Sequence, residues 1–183
     1  MNTADIFLLV IIVSSLLVGF FWGAARSLLL LAAWLVAFIF GAYLQLQFGA
    51  WLTRQWANFD PGFNQAAAFG IIFLGFLLLA PIAIILGTDG DQRLSRSQVL
   101  DDAIGATFAC FVAVLGIAAV MIILGTYYDG RPVGEIAAPE WVTNLYLSLV
   151  SSGTGRSIDE RLIPLLSAVL GPLLPPHVRE AMA

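Results

Sequence analysis

The sequence predicts an all-α integral membrane protein, with four transmembrane helices followed by short amphipathic C-terminal helices. Three observations carry this. The 183 residues are 60% hydrophobic and only 11% charged, with a mean hydropathy of +0.94, whereas a soluble domain is about a quarter charged. The apolar runs are continuous and lack the two-residue alternation of a transmembrane barrel, so helices are the spanning elements. The charges sit between long uncharged runs, and from Ile6 to Thr53 Arg26 is the sole charged residue.

A helix rises about 1.5 Å per residue and a bilayer core is about 30 Å thick, so one span needs roughly 20 residues. The run from Ile6 to Thr53 would be roughly 70 Å long as a single helix, about twice that thickness. It must hold two spans and a turn, and the turn belongs at Gly23-Ala24-Ala25-Arg26. The first span is placed at 5–22 and the second at 27–47. Arg26 then sits at the mouth of a short hairpin, where its guanidinium reaches phosphate headgroups, and Gly23 lends the backbone freedom to turn.

Segment 48–65 mixes Trp51, Trp56, Phe59 and Phe63 with Arg54, Asp60 and Asn64, a composition suited to the membrane interface. Asp60-Pro61-Gly62 is a turn signal. The third span follows at 66–87, with Pro81 as a kink or a last turn. Residues 88–102 form the most polar stretch, and the fourth span is placed at 103–127, ending at the interfacial pair Tyr127-Tyr128. In the tail, Val142, Leu145, Tyr146 and Leu149 form an amphipathic stripe. Ser157-Ile158-Asp159-Glu160 matches a capping box, and Pro164 falls early in the helix it would open. Both tail helices are too short to span and are expected on the membrane surface or docked against the spans. The organisation is thus a four-helix transmembrane domain over 1–128 and an interfacial helical tail over 129–183.

All eight basic residues are Arg, the net charge is −4 and no basic cluster occurs, so nucleic acid is not an expected partner. Cys110 is the single cysteine, which excludes an intramolecular disulfide and a cysteine-based zinc site. Met1 to Asp5 carry no positive charge, so the first apolar run is read as a retained span rather than a signal peptide. With the N-terminus outside, Arg26, Arg93 and Arg96 lie inside against Arg54 and Arg131 outside. That count, three against two, favours extracytoplasmic termini.

The spans carry little chemistry. Their polar side chains are mainly Ser14, Ser15, Gln45, Thr107 and Cys110, and mid-span positions hold no ionisable group of the kind that proton-driven transport uses. Asp89-Gly90-Asp91 lacks the rest of a calcium loop and reads as a solvated turn. His177 has no second ligand, and Asp101 and Asp102 suit the electropositive start of a helix. No catalytic residue, metal site or cofactor is expected, and an intramembrane enzyme is disfavoured. Small residues recur at four-residue spacing in Gly19/Gly23, Ala33/Ala37/Gly41 and Gly105/Ala109/Ala113. Such faces let helix backbones approach closely in lipid, within this chain or between chains, although Gly and Ala are common enough here for chance spacing.

Two blocks resemble the colicin V production (CvpA) family of bacterial inner-membrane proteins. The first is Asp5 opening the first span, then Gly23-Ala24-Ala25-Arg26 in the place of Gly-x-x-Arg, with Trp34 eight residues after the arginine. The second is Asp101-Asp102-Ala103-Ile104-Gly105 followed by Phe108, similar to Asp-x-x-x-Gly-x-x-Phe. The chain departs from the pattern at Trp22, where a basic residue is common, and at Ser27, where an acid is common. It departs again at Ala109-Cys110-Phe111-Val112-Ala113, in the place of Gly-x-x-Arg-Gly. The resemblance covers about 5–128. It implies a non-enzymatic inner-membrane accessory or scaffold protein linked to colicin V production or export and envelope physiology. It marks Asp5, Gly23, Arg26, Trp34, Asp101, Gly105 and Phe108 as the candidate residues. Similar domains fused ahead of extracytoplasmic serine proteases agree with an outward end of the fourth span. Partners are expected to be the lipid bilayer and either further copies of the chain or other inner-membrane proteins. The alternative is a small oligomeric channel or transporter whose pore is lined by Gly, Ser and Thr.

Overall fold

The computed structural model describes residues 3–87, 97–128, 139–175 and 178; Asp89-Gly90-Asp91, Arg93, Arg96, Arg131 and His177 lie outside them. The described residues are helical almost throughout. In order come α1 (Thr3–Gln55), α2 (Pro61–Gly87), α3 (Gln98–Tyr128), α4 (Glu140–Ser151) and α5 (Gly153–Ser157). A wide π-type turn (Ile158–Leu162), α6 (Ile163–Leu170) and a 3₁₀ turn (Gly171–Leu173) follow. Three of these helices, α1, α2 and α3, are long and apolar enough to cross a membrane.

The 53 residues of α1 are interrupted once, at Gly23, whose φ of 76° and ψ of 175° are not helical. On either side of that residue the chain follows α3 in opposite directions. Toward the N-terminus, Gly19 lies against Gly105 and Ala109, and Leu8 shares a cleft with Ile117. Toward the C-terminus, Leu31 and Trp34 share a groove with Phe111 and Leu115, and Gln45 shares a cavity with Ile122 and Tyr127. Both halves therefore start at the same end of α3, and the chain reverses at Gly23. A φ near +76° with an extended ψ is a conformation that in practice only glycine holds without strain, which is why the reversal takes a single residue.

The helix after the break runs on to Gln55, past the expected limit at residue 47. Residues 48–55, expected as interfacial chain, complete its last two turns; Gly49 in this stretch packs closely on Gln65 of α2. The turn is confined to 56–60, where the Asp60 carboxylate accepts the Gly62 N–H at 2.7 Å. Pro61 opens α2 at the first helical position, where a missing N–H costs nothing, so α2 starts five residues before the expected third span. Helix α3 likewise starts earlier than expected, at Gln98.

The capping box expected at 157–160 does not form. Ser152 caps the helix instead, accepting the Gly155 N–H at 2.9 Å, and Ser157 lies inside the helix with its hydroxyl donating to the Gly153 carbonyl. Pro164 explains the wide turn ahead of α6: a proline ring collides with the carbonyl four residues back. The Ile163 N–H accordingly bonds the Ile158 carbonyl, five residues back, in a single π-type turn.

Helix α1 is the hub. Helices α2 and α3 each pack mainly on α1 and little on each other. The core joins Leu8, Trp34, Phe38, Phe69, Phe73 and Leu115 to Leu149, Ile158, Leu166 and Leu170 of the tail. The tail thus shares one core with the long helices, while Leu165, Val169 and Leu173 are exposed, the first two beside the groove lined by Trp34 and Phe111.

Candidate functional site

Of the residues singled out by sequence, Gly23, Asp101 and Gly105 meet at one place and Asp5 makes its contact at a second. The first is the reversal. The break leaves Ala24 as the first residue of a new helix, and the N–H groups of a first helical turn have no partner within the helix. Asp101, in the first turn of α3 and 3% exposed, supplies one: its Oδ2 accepts the Ala24 N–H at 3.1 Å. A capping carboxylate ordinarily comes from the residue just before the helix. Here that residue is glycine, and the carboxylate is donated from 77 residues away. The negative charge also faces the positive end of the dipole of the 24–55 helix.

The geometry leaves no room for a side chain at the crossing. A Cβ at Gly23 would stand 2.5 Å from the Asp101 carboxylate, and one at Gly105 would stand 2.5 Å from the Gly19 carbonyl oxygen. A Cβ at Gly19 would run into Ala109 and the Gly105 carbonyl. The faces 19/23 and 105/109 therefore meet within this chain, backbone on backbone. Of the other small residues, Ala37 is fully buried and Gly41 makes room for the Phe69 ring. Ala33 and Ala113 are half-buried.

Arg26 follows in the first turn after the break and is half-buried, as are Asp102 and Phe108. Ser27, in the position of the family's acid, is 1% exposed. An acid there would be a second buried carboxylate close in sequence to the one Asp101 brings, so a neutral hydroxyl suits this chain better. Trp34 is fully buried, stacked on Phe38 at 5.2 Å and edge-on to Phe73 at 6.1 Å. It holds the aromatic core together and has no free face to offer a ligand.

The second place is the start of α1. Asp5 Oδ1 accepts the Thr154 N–H at 3.1 Å, tying the first turn of α1 to the first turn of α5 across 149 positions. This contact and the Asp101 contact lie at opposite ends of the 3–22 helix. Each is a carboxylate accepting a backbone N–H at the start of another helix.

Sequence reasoning marked Asp5, Gly23 and Asp101 but assigned Asp101 to its own helix. Nothing in spacing pairs 24 with 101 or 5 with 154. It missed Gln65 altogether, and it placed Gln45 and Tyr127 without bringing them together; all three line one cavity between α1, α2 and α3. The only cue available was the rarity of polar side chains in these helices. Among the described residues no cluster of three or more His, Cys, Asp or Glu forms a metal-type site.

Compared with known families, residues 4–154 match the model of the colicin V production protein family. No curated protein and no solved structure matches the chain. The matched segment begins beside Asp5 and ends at Thr154, the two partners of the long-range contact above, and it takes in the whole Gly23–Asp101 junction. Matched over most of its length, the chain belongs to the colicin V production protein family.

Proposed function

We propose that this membrane protein is a non-enzymatic accessory or scaffold of the bacterial inner membrane that serves colicin V production or export. It crosses the bilayer four times with both termini outside. The family match is the observation that carries the reading. The crossing count is supported by the reversal at Gly23: each half of α1 is long enough to cross on its own, at roughly 1.5 Å per residue. The scaffold role is supported by exposed apolar side chains on α2 and the tail, where Leu78, Leu86, Leu165 and Val169 are more than 60% exposed. Side chains of that kind serve lipid or a neighbouring helix equally well.

Topology reporters at Arg26, Gln92 and the C-terminus test the path. The first two are expected inside and the third outside; Arg26 and Gln92 outside would overturn the orientation. Arg26→Ala is expected to lower the correctly oriented fraction, because it removes one of three inner basic residues. Purification in mild detergent tests the role. Recovery with further copies or with other inner-membrane proteins is expected, and a strictly isolated monomer would refute the scaffold reading.

A further inference from the structure

The tail carries its charges to the level at which the long helices are half crossed. The Thr154 N–H donates to Asp5 at 3.1 Å, which holds the start of α5 at the N-terminal end of α1. Further along, Leu162 shares a groove with Leu31, Trp34, Phe111 and Leu115. Phe111 and Leu115 stand on either side of the midpoint of α3 (Gln98–Tyr128). Leu31 lies roughly 12 Å along its helix from the reversal at Gly23. The turn that leads into Leu162 holds every charged residue of 141–176: Arg156, Asp159, Glu160 and Arg161. These four therefore lie between the N-terminal end of α1 and the middle of α3.

All four side chains are exposed, and among the described residues none of them pairs with an opposite charge. Charged side chains at membrane depth are costly in hydrocarbon and face protein partners or water instead. Their surroundings in the tail offer no counter-charge: Ile158 and Leu166 belong to the apolar core, and hydrocarbon and aromatic side chains line the groove beyond Leu162. The order of the signs says what fits. Along the turn they run basic, acidic, acidic, basic, two of each. A partner surface of one sign would satisfy half of them and repel the rest. A second copy brings the same mixed set, and in a two-fold pair each residue of one copy can meet a different residue of the other. Arg156 and Arg161 of each copy then face Asp159 and Glu160 of the other, and the planar guanidinium suits a carboxylate that has left water.

From this we infer that the turn from Arg156 to Arg161 is the contact surface of a two-fold homodimer within the membrane, joined by arginine–carboxylate pairs between copies. The inference rests on the bilayer-crossing scaffold reading and narrows it, naming the partner as a second copy of this chain.

Charge reversal in the full chain, purified in a mild neutral detergent, tests the surface. A tagged parent chain is expected to retain an untagged copy. Asp159→Arg with Glu160→Arg makes the turn wholly basic, and Arg156→Glu with Arg161→Glu makes it wholly acidic. Each pair of changes is expected to weaken self-association at least tenfold. Co-expression of the two restores opposite signs across the axis, and a mixed dimer is expected to form. Circular dichroism and monodisperse elution establish that each variant is folded. A second measurement keeps all four charges: a benzophenone side chain in place of Ser157, which is exposed within the turn, is expected to photocrosslink two copies in native membranes. The same group in place of Leu86, in the last turn of α2 and 81% exposed, is expected to give no such dimer. The inference is overturned if the parent retains no second copy, if position 157 crosslinks copies no better than position 86, or if the folded reversed variants self-associate as the parent does. A chain that retains other membrane proteins and no second copy overturns it and leaves the scaffold reading standing, whereas an isolated monomer overturns both.

Discussion

Replacing Gly23 by alanine tests the reversal most directly, because two separable costs meet at that residue. The first is conformational. A non-glycine residue at φ 76°, ψ 175° is strained by about 2 kcal/mol. The second is the displaced cap. The added Cβ stands 2.5 Å from the Asp101 carboxylate, so the carboxylate must withdraw from the Ala24 N–H. A buried hydrogen bond to a charged acceptor is worth about 2 kcal/mol. Gly23→Ala should therefore cost about 4 kcal/mol, the sum of the two. Asp101→Ala removes the cap without the backbone strain, and the lost cap should cost about 2 kcal/mol. In the double variant the cap is lost only once, so the total should stay near 4 kcal/mol and fall about 2 kcal/mol short of the sum of the singles.

Equilibrium unfolding in mixed micelles gives the three free energies, and hydrogen exchange at the Ala24 amide reports the cap itself. Protection at Ala24 should fall in both single variants, while amides in the middle of α2 keep theirs. Strict additivity would refute the reasoning, since it would mean that residue 23 and the carboxylate do not act on one another. So would Gly23→Ala within about 0.5 kcal/mol of the parent, the range of an uninvolved surface change.

Three further outcomes follow from the same geometry. Gly105→Ala places a methyl against the Gly19 carbonyl and the Gly23 backbone; rigid backbone cannot yield as a side-chain tip does, so α3 should shift and Ala24 protection should drop, which exchange measurements detect. Asp5→Ala removes the acceptor for the Thr154 N–H and should cost about 1 kcal/mol, the value of a lost helix cap. Its mark is faster proteolysis within 139–175 while α3 stays resistant. Trp34→Ala should cost about 3 kcal/mol, the low end for large aromatic truncations, because lipid is as apolar as the core and only packing is lost; thermal unfolding followed by near-ultraviolet dichroism reads it.

Which features the sequence foretold follows from the range of the interactions behind them. Helix positions and the break near 23–26 were legible because they depend on length against bilayer thickness and on one glycine. The early starts of α2 and α3 were blurred because helix ends extend into polar sequence once tertiary contacts support them. Gly49 against Gln65 does this for residues 48–55. The box at 157–160 had the right residues in the wrong place: Ser152, five residues earlier, makes the cap, and Pro164 then sets the wide turn. The small-residue faces were visible in the sequence, but their partners were not. That 19/23 meets 105/109 depends on the path of the whole chain.

The absence of a hydrophobic force between helices in lipid makes the two carboxylate contacts weigh more than their number suggests. Side chains such as Leu78 and Leu86 are equally at ease in hydrocarbon and in a helix interface, so they do not specify how the helices are arranged. Glycine crossings permit close approach at many registers. An unpaired backbone N–H in a low-dielectric site, by contrast, costs more than 1 kcal/mol, and only one arrangement puts the Asp101 carboxylate on Ala24. Asp5 does the same for Thr154 at the other end of the 3–22 helix. Close packing at Gly19, Gly23 and Gly105 supplies attraction that is weakly specific along the helix axis. The two carboxylates, each aimed at one N–H, fix the register of the 3–22 helix against α3 at one end and against the tail at the other. This division of labour explains why the acids flagged in the sequence sit at helix ends while the interiors of the long helices carry almost none: at the ends they can meet an orphan N–H, and in the middle of a helix no N–H is left to meet.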